Sequence, residues 1–270
     1  MKPFGILSAL FSILVFASCL DTKTYEVKEE VVAETTPQFY QLKVYTFDTE
    51  DQVKTTDEYL KDAFLPAIKK MGFGPVGVFK QRITESDSTL KTYMLIPLSS
   101  FGKVLEIEEK LENDAAHAAA GSAYLEASHK QPPYKRIEST LLKAFQEMPT
   151  MQTPELDGDR ADRVYELRSY ESATEKLYKN KVDMFNAGGE VKLFDRLGFN
   201  AVFYGEVVSG SQMPNLMYMT TFSNQEVRDS LWKEFFTSPE WEVLKADPKY
   251  KNNVSHADKI FLYPTEYSDY

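Results

Sequence analysis

The chain repeats itself. "QFYQLKVYTF" at 38–47 and "RVYELRSYES" at 163–172 both carry Tyr-polar-Leu-basic-X-Tyr. Tyr40, Leu42 and Tyr45 fall on Tyr165, Leu167 and Tyr170 at one offset, 165 − 40 = 125. The match continues through "MGFGPVGVF" (71–79) with "LGFNAVFYG" (197–205), and "TYMLIPLSS" (92–100) with "MYMTTFSNQ" (217–225). It ends with "SAYLEASHKQPPYK" (122–135) against "SPEWEVLKADPKYK" (238–251). Such a period marks a duplicated structural unit, and a duplication limits the fold more than composition does. The last offset is 238 − 122 = 116, so the first unit holds nine extra residues between Met94 and Ser122. "NDAAHAAAG" at 113–121, an Ala-rich helical segment carrying His117, is the natural candidate.

Each unit reads in the same order. An alternating, aromatic strand opens it, Phe39 to Phe47 or Val164 to Glu171. A helix follows; in the first unit Leu60, Phe64, Ile68 and Met71 keep helical spacing, Gly72 closes it, and Pro66 predicts a kink. In the second unit the helical pattern is interrupted at Gly188-Gly189. A hairpin, more helix and a closing strand complete β-α-β-β-α-β, the ferredoxin-like unit. Such a sheet covers one face with its helices and leaves the other open. Two units in one chain supply the missing cover, so the expected fold is α+β: two tandem ferredoxin-like units closing a pseudo-dimeric barrel. The expected organisation is a leader (1–18), a tether (19–37), a first unit (38–146), a linker (147–162) and a second unit (163–270).

The net charge of −10 argues against nucleic acid, which needs a basic face. The N-terminus is different. Lys2 precedes the uncharged run "PFGILSALFSILVFAS" and then Cys19, the only Cys of the 270 residues. A basic start, a short apolar stretch and small residues before a cut site describe a secretion signal. "FASC" at 16–19 resembles a bacterial lipobox, with Phe16 in place of the usual Leu. The expectation is a lipid on Cys19, a tether, and a protein held to a membrane outside the cytoplasm, in the bacterial cell envelope. Acylation of Cys19 would leave no thiol for a disulfide, a nucleophile or a metal.

The second unit resembles the NIPSNAP family. The resemblance rests on "YELRSY" (165–170), "FDRLGF" (194–199), "LMYMTTF" (216–222) and "SPEWEVL" (238–244) after "EVRDSLW". It covers about 100 residues. The first unit matches less closely: "YQLKVY" replaces Glu-Leu-Arg by Gln-Leu-Lys, and Leu125 stands where Trp241 stands. The resemblance implies a dimeric α+β-barrel fold. Members of that superfamily include cofactor-free oxygenases, isomerases and haem-degrading enzymes beside proteins without a settled reaction, so fold alone does not transfer an activity.

Alternation along the repeated strand puts Tyr165, Leu167 and Ser169 on one face and Glu166, Arg168 and Tyr170 on the other. In the first unit the sets are Tyr40, Leu42, Val44 and Gln41, Lys43, Tyr45. The apolar set is expected under the helices and the polar set toward the barrel interior or the seam. A Glu and an Arg two apart are read as either the polar floor of a ligand cleft or a network pinning the sheets. His117, with Asp114 three residues earlier, is a candidate base or haem ligand; the plainer reading is a satisfied His on a closely packed helix. Trp232, Phe235, Phe236 and Trp241 suit core packing or an apolar ligand wall. The His residues are scattered, and no metal site, P-loop, nucleophile elbow or dinucleotide fingerprint is expected.

Two functions follow. One is a lipid-anchored protein that binds a small apolar or aromatic ligand, or a protein partner, between the units, through Gln41, Lys43, Tyr45, Trp232 and Trp241. The other is a cofactor-free or haem-linked oxygenase or isomerase with acid–base groups from His117, Glu166, Arg168 and Tyr170. The first needs no cofactor. A second copy of the chain is an allowed partner.

Overall fold

Alternation in "FYQLKVYTF" and "VYELRSYE" produces β1 (Phe39–Phe47) and β5 (Val164–Glu171), which open two equivalent four-strand sets. The structure, a computed structural model, describes residues 36–85 and 87–270. The leader, Cys19 and all but the last two residues of the tether lie outside these. The first set adds β2 (Gly77–Gln81), β3 (Leu90–Leu98) and β4 (Arg136–Ala144). The second adds β6 (Ala201–Ser209), β7 (Asn215–Phe222) and β8 (His256–Pro264).

All eight strands form one closed barrel in the order β1-β3-β2-β8-β5-β7-β6-β4. Within each unit the order is that of a ferredoxin-like sheet, with the opening strand between the third and fourth. The two sheets join edge to edge, β2 with β8 and β4 with β6, and every pairing is antiparallel. Closure removes both free edges of each sheet, which would otherwise template association.

The helices pack outside. In the first unit α1 (Glu50–Tyr59) starts on Thr49, whose side chain accepts from Gln52 N–H. It passes through a π turn, Leu60–Phe64, into α2 (Leu65–Lys70). The expected kink at Pro66 takes this form: Leu65 N–H reaches back to Leu60 O, one residue further than α geometry, immediately before the residue that has no N–H to give. Next come α3 (Gly102–Glu112), α4 (Ala115–Ala120) and α5 (Ser122–Leu125). In the second unit α6 (Glu175–Phe185) and α7 (Glu190–Leu197) precede the hairpin, and α8 (Gln225–Thr237) and α9 (Pro239–Ala246) follow it. The extra nine residues of the first unit are the short helix α4 and its ends. Among the described residues no helix is long and apolar enough to cross a membrane.

The alternation is as expected, but the faces are inverted. Tyr165, Leu167, Tyr40 and Leu42 point into the barrel, where they join Phe79, Phe203 and Leu262 in a filled core. Glu166, Arg168 and Tyr170 point outward, beneath the helices: Glu166 and Arg168 both contact Trp232 of α8, and Tyr170 packs on Phe185 of α6. Lys43 likewise lies over Phe64, on the helix side.

The units also share cores. Phe145 and Met148, just after β4, are buried in the core of the second unit with Phe185 and Phe194. Reciprocally, Tyr267, after β8, packs on the core of the first unit and its hydroxyl donates to Asp57 (2.7 Å). Met151 and Leu156 of the connecting segment pack against the barrel core, beside Tyr270.

Candidate functional site

The site forms around Glu166 because β5 places a carboxylate under α8 with no route to water. Glu166 is fully buried and is met by three side chains. Arg168 Nε donates to Oε1 (2.6 Å). Arg228 donates from Nε to Oε2 (2.7 Å) and from Nη2 to Oε1 (3.0 Å). Trp232 Nε1 donates to Oε2 (2.9 Å). Arg228 and Trp232 are four apart on α8 and so share one helix face. Burial pushes the Glu166 carboxyl up, but the hydrogen bonds from Arg228 and the charges of Arg168 and Arg228 outweigh it and hold the pKa below the ordinary value. Arg168 stacks on the Trp232 ring at 3.6 Å and donates from Nη1 to Tyr170 Oη (2.9 Å), which lies 2.9 Å from Tyr218 Oη. The polar set of β5 is therefore a charge-compensated floor.

A second ion pair flanks it. Lys181 Nζ of α6 meets Glu190 Oε2 of α7 at 2.8 Å, both side chains being almost wholly buried. Gly188-Gly189 makes the chain reversal that brings them together. Gly189 sits at φ 87°, and a Cβ on Gly188 would lie 2.5 Å from Met184 O.

Above this floor is a cleft of about 410 Å³. Its wall is aromatic: Trp232, Phe235, Phe236 and Trp241. Phe235 and Trp241 have ring centroids 4.6 Å apart, and Phe236 is half exposed. Ser238 starts α9, accepting from Trp241 N–H with Pro239 at the first helical position. That cap sets Trp241 over the opening. The charged side chains lining the cleft are Arg168, Lys181, Lys245, Lys259 and Glu190; Arg168 pairs with Glu166, Lys181 with Glu190 and Lys245 with Glu242.

The first unit carries the counterpart, a cleft of about 310 Å³ that contains Gln41, Lys43, Tyr59, Phe64, Ile107, His117 and Leu125. At the offset of 125, Gln41, Lys43, Lys103 and Ile107 stand for Glu166, Arg168, Arg228 and Trp232. The ion network is gone. Gln41 donates to Ser139 Oγ (2.9 Å), and Lys103 pairs with Glu106 on its own helix. Among the described residues Lys43 has no carboxylate within ion-pair distance; burial lowers its pKa, partly offset by Glu108. Tyr45 is buried and its hydroxyl is pushed up by burial.

The predicted residues are thus divided. Glu166, Arg168, Tyr170, Trp232 and Trp241 converge in the second unit; Gln41, Lys43 and His117 converge in the first. His117 does not join Glu166, so the four acid–base candidates do not form one site. His117 is buried, with Nδ1 3.1 Å from Leu111 O and Nε2 3.1 Å from Tyr59 Oη. A carbonyl only accepts, so Nδ1 carries the proton and the Tyr59 hydroxyl donates to Nε2. Asp114 does not reach the ring; it caps α4 by accepting from Ala116 and His117 N–H. With both nitrogens engaged, His117 does not fit the role of haem ligand, and among the described residues no His or Cys lines the second cleft. The cavity between the units, about 460 Å³ at one mouth of the barrel, is lined by none of the predicted residues. Sequence reasoning missed Arg228, whose spacing from Trp232 was a usable signal. It also missed Lys181 and Glu190, which no local pattern links.

Residues 165–269 match the model of the NIPSNAP family. No curated protein matches the chain. Among solved structures, a candidate monooxygenase from Lactobacillus acidophilus aligns at 12% identity, TM-score 0.53, over 84% of this chain and 94% of that one. A candidate monooxygenase from Fusobacterium nucleatum aligns at 7% identity, TM-score 0.51, over 85% and 93%. An anthrone oxidase-like protein aligns at 12%, TM-score 0.50, over 86% and 93%. These likenesses show the dimeric α+β-barrel fold and extend to both units.

Proposed function

We propose that the chain binds a small planar aromatic anion in the cleft of the second unit. One observation carries this reading: a partly open aromatic wall stands beside exposed Lys259, the one lining cation without an ion-pair partner among the described residues. The wall supplies ring contacts with little side-chain entropy to lose, and Lys259 supplies the partner for a carboxylate or sulfonate. The oxygenase or isomerase alternative has the fold likeness as its support, while its proposed residues lie in two separate clefts.

The chain has two Trp residues, and both line this cleft. Fluorescence excited selectively at Trp therefore reports on it. Titration with 2-naphthoate is expected to give saturable quenching, weaker binding of naphthalene-2-carboxamide, and at least tenfold weaker naphthoate binding in Trp241→Ala. Quenching that never saturates, or an unchanged midpoint in Trp241→Ala, would refute the proposal.

We also propose that Cys19 is acylated and ties the protein to a membrane outside the cytoplasm. The basic start, the apolar stretch and "FASC" support this. Mass spectrometry of the mature N-terminus tests it: an unmodified chain beginning after residue 18 would sink it.

A further inference from the structure

We infer that Glu171, His256 and Asp258 form a binding site for a divalent first-row transition ion, with Zn2+ as the reference occupant, at the open mouth of the barrel. The three residues lie on neighbouring strands. Glu171 is directly opposite His256 in the β5–β8 register, and Asp258 is two residues further along β8 on the same face. One ligand atom from each lies within 4.8 Å of the other two. His256 Nε2 and Asp258 Oδ1 are already 3.0 Å apart. Two ligands on one Zn2+ stand about 3.3 Å from each other, as bond lengths of about 2.0–2.1 Å at a tetrahedral ion require. Glu171 and His256 stand side by side across the strands, and all three side chains keep some exposure.

The ligand types argue for this class of ion. One imidazole and two carboxylates suit Zn2+, Mn2+ or Fe2+, whereas Ca2+ prefers six or more oxygens. Three protein ligands leave at least one coordination position open. Asp258 also lines the 460 Å³ cavity at the barrel mouth, so the ion would stand at the edge of a space able to hold a further ligand. The strand register strengthens the case by contrast. Thr46 pairs with Arg136 in the first unit as Glu171 pairs with His256 in the second. The trio's counterparts are therefore Thr46, Arg136 and Glu138, and the cation Arg136 stands where the imidazole does. An ion here would revise the expectation of no metal site.

The simpler account of the same atoms is an exposed His–Asp ion pair with a neighbouring Glu. Isothermal titration of the full chain with Zn2+, Mn2+ and Ca2+ separates the two. The site predicts one Zn2+ per chain, weak or no Ca2+ binding, and at least tenfold loss of Zn2+ affinity in His256→Ala and in Asp258→Asn. His129→Ala, a change at an exposed histidine elsewhere, should leave the affinity unchanged. No Zn2+ binding by the native chain, or equal binding by native and His256→Ala proteins, would overturn the inference. The naphthoate titration has a different readout and location, so either result can fail alone.

Discussion

Glu166→Gln tests whether the floor of the second cleft is held by charge. The native carboxylate accepts from Arg168, Arg228 and Trp232, with both oxygens engaged. Gln keeps the shape but turns one acceptor into a donor that faces other donors. It also leaves Arg168, 8% exposed, without a counter-charge. Removing one partner of a buried ion pair costs about 3–5 kcal/mol. Arg228 can fall back on Asp229, to which it already donates at 2.7 Å, so the lower end applies, about 3 kcal/mol. For a domain of this size that is a fall in Tm of roughly 6–12 °C. Thermal unfolding followed by circular dichroism measures it. A loss under about 1 kcal/mol would show that the network is not a structural requirement of the floor.

The same variant has a pH signature. The folded-state pKa of Glu166 is depressed, so its stabilisation is fully present above the unfolded pKa of about 4.3 and is lost as pH falls through the folded value. The gap between native and variant Tm should therefore be constant from pH 7 to pH 5 and narrow only in stronger acid. A gap already closing at pH 6 would mean a raised pKa, and burial rather than the arginines would then dominate.

Lys181→Met should destabilise by about 3–5 kcal/mol because it strands buried Glu190, and adding Glu190→Leu should recover most of the loss in urea unfolding. His117→Ala should cost about 1–3 kcal/mol through the orphaned Tyr59 hydroxyl, yet leave naphthoate binding unchanged, since it lies in the other unit. Lys43→Met, which removes a half-buried cation without an ion-pair partner among the described residues, should be neutral or stabilising by thermal unfolding. Phe145→Ala should cost about 3–5 kcal/mol, and hydrogen exchange should show weakened protection in the helices of the second unit, although the residue follows β4 of the first.

The duplication, the strands and the barrel were legible because a strand buried on both faces still keeps period two, and because a repeat fixes what pairs with what. The facing was not legible. Leu167 is fully buried in the barrel, and Glu166 is equally buried under α8, so apolarity could not rank the two sides. The usual rule that polar residues face out presumes one wet face; a barrel covered by helices has none over its central strands. The aromatic wall was legible as a group, because α8 and α9 each carry it at short spacing. Lys181 and Glu190 were not, since their pairing depends on the turn at Gly188-Gly189 rather than on any periodicity.

Strand β5 explains why both proposed sites fall in the second unit. Its two faces do separate jobs within one phrase, "YELRSYE". Glu166, Arg168 and Tyr170 face the helices and build a floor on which an aromatic wall can stand partly open. Ser169 and Glu171 face the other way, toward the barrel mouth, where Ser169 donates to Asn215 and Glu171 meets His256. In β1 the same positions are Gln41, Lys43, Tyr45, Val44 and Thr46. Neither face keeps its carboxylate. Replacing Glu166 by Gln removes the need for Arg228 and Trp232 above it, and α3 offers Lys103 and Ile107 instead. Replacing Glu171 by Thr removes one proposed ligand, and Arg136 then tolerates the place of His256. Each difference on the strand is matched by a difference on its neighbour. The charged groups that a ligand could use therefore stand on β5 and its neighbours, while the same positions of β1 carry Gln41, Lys43 and Thr46.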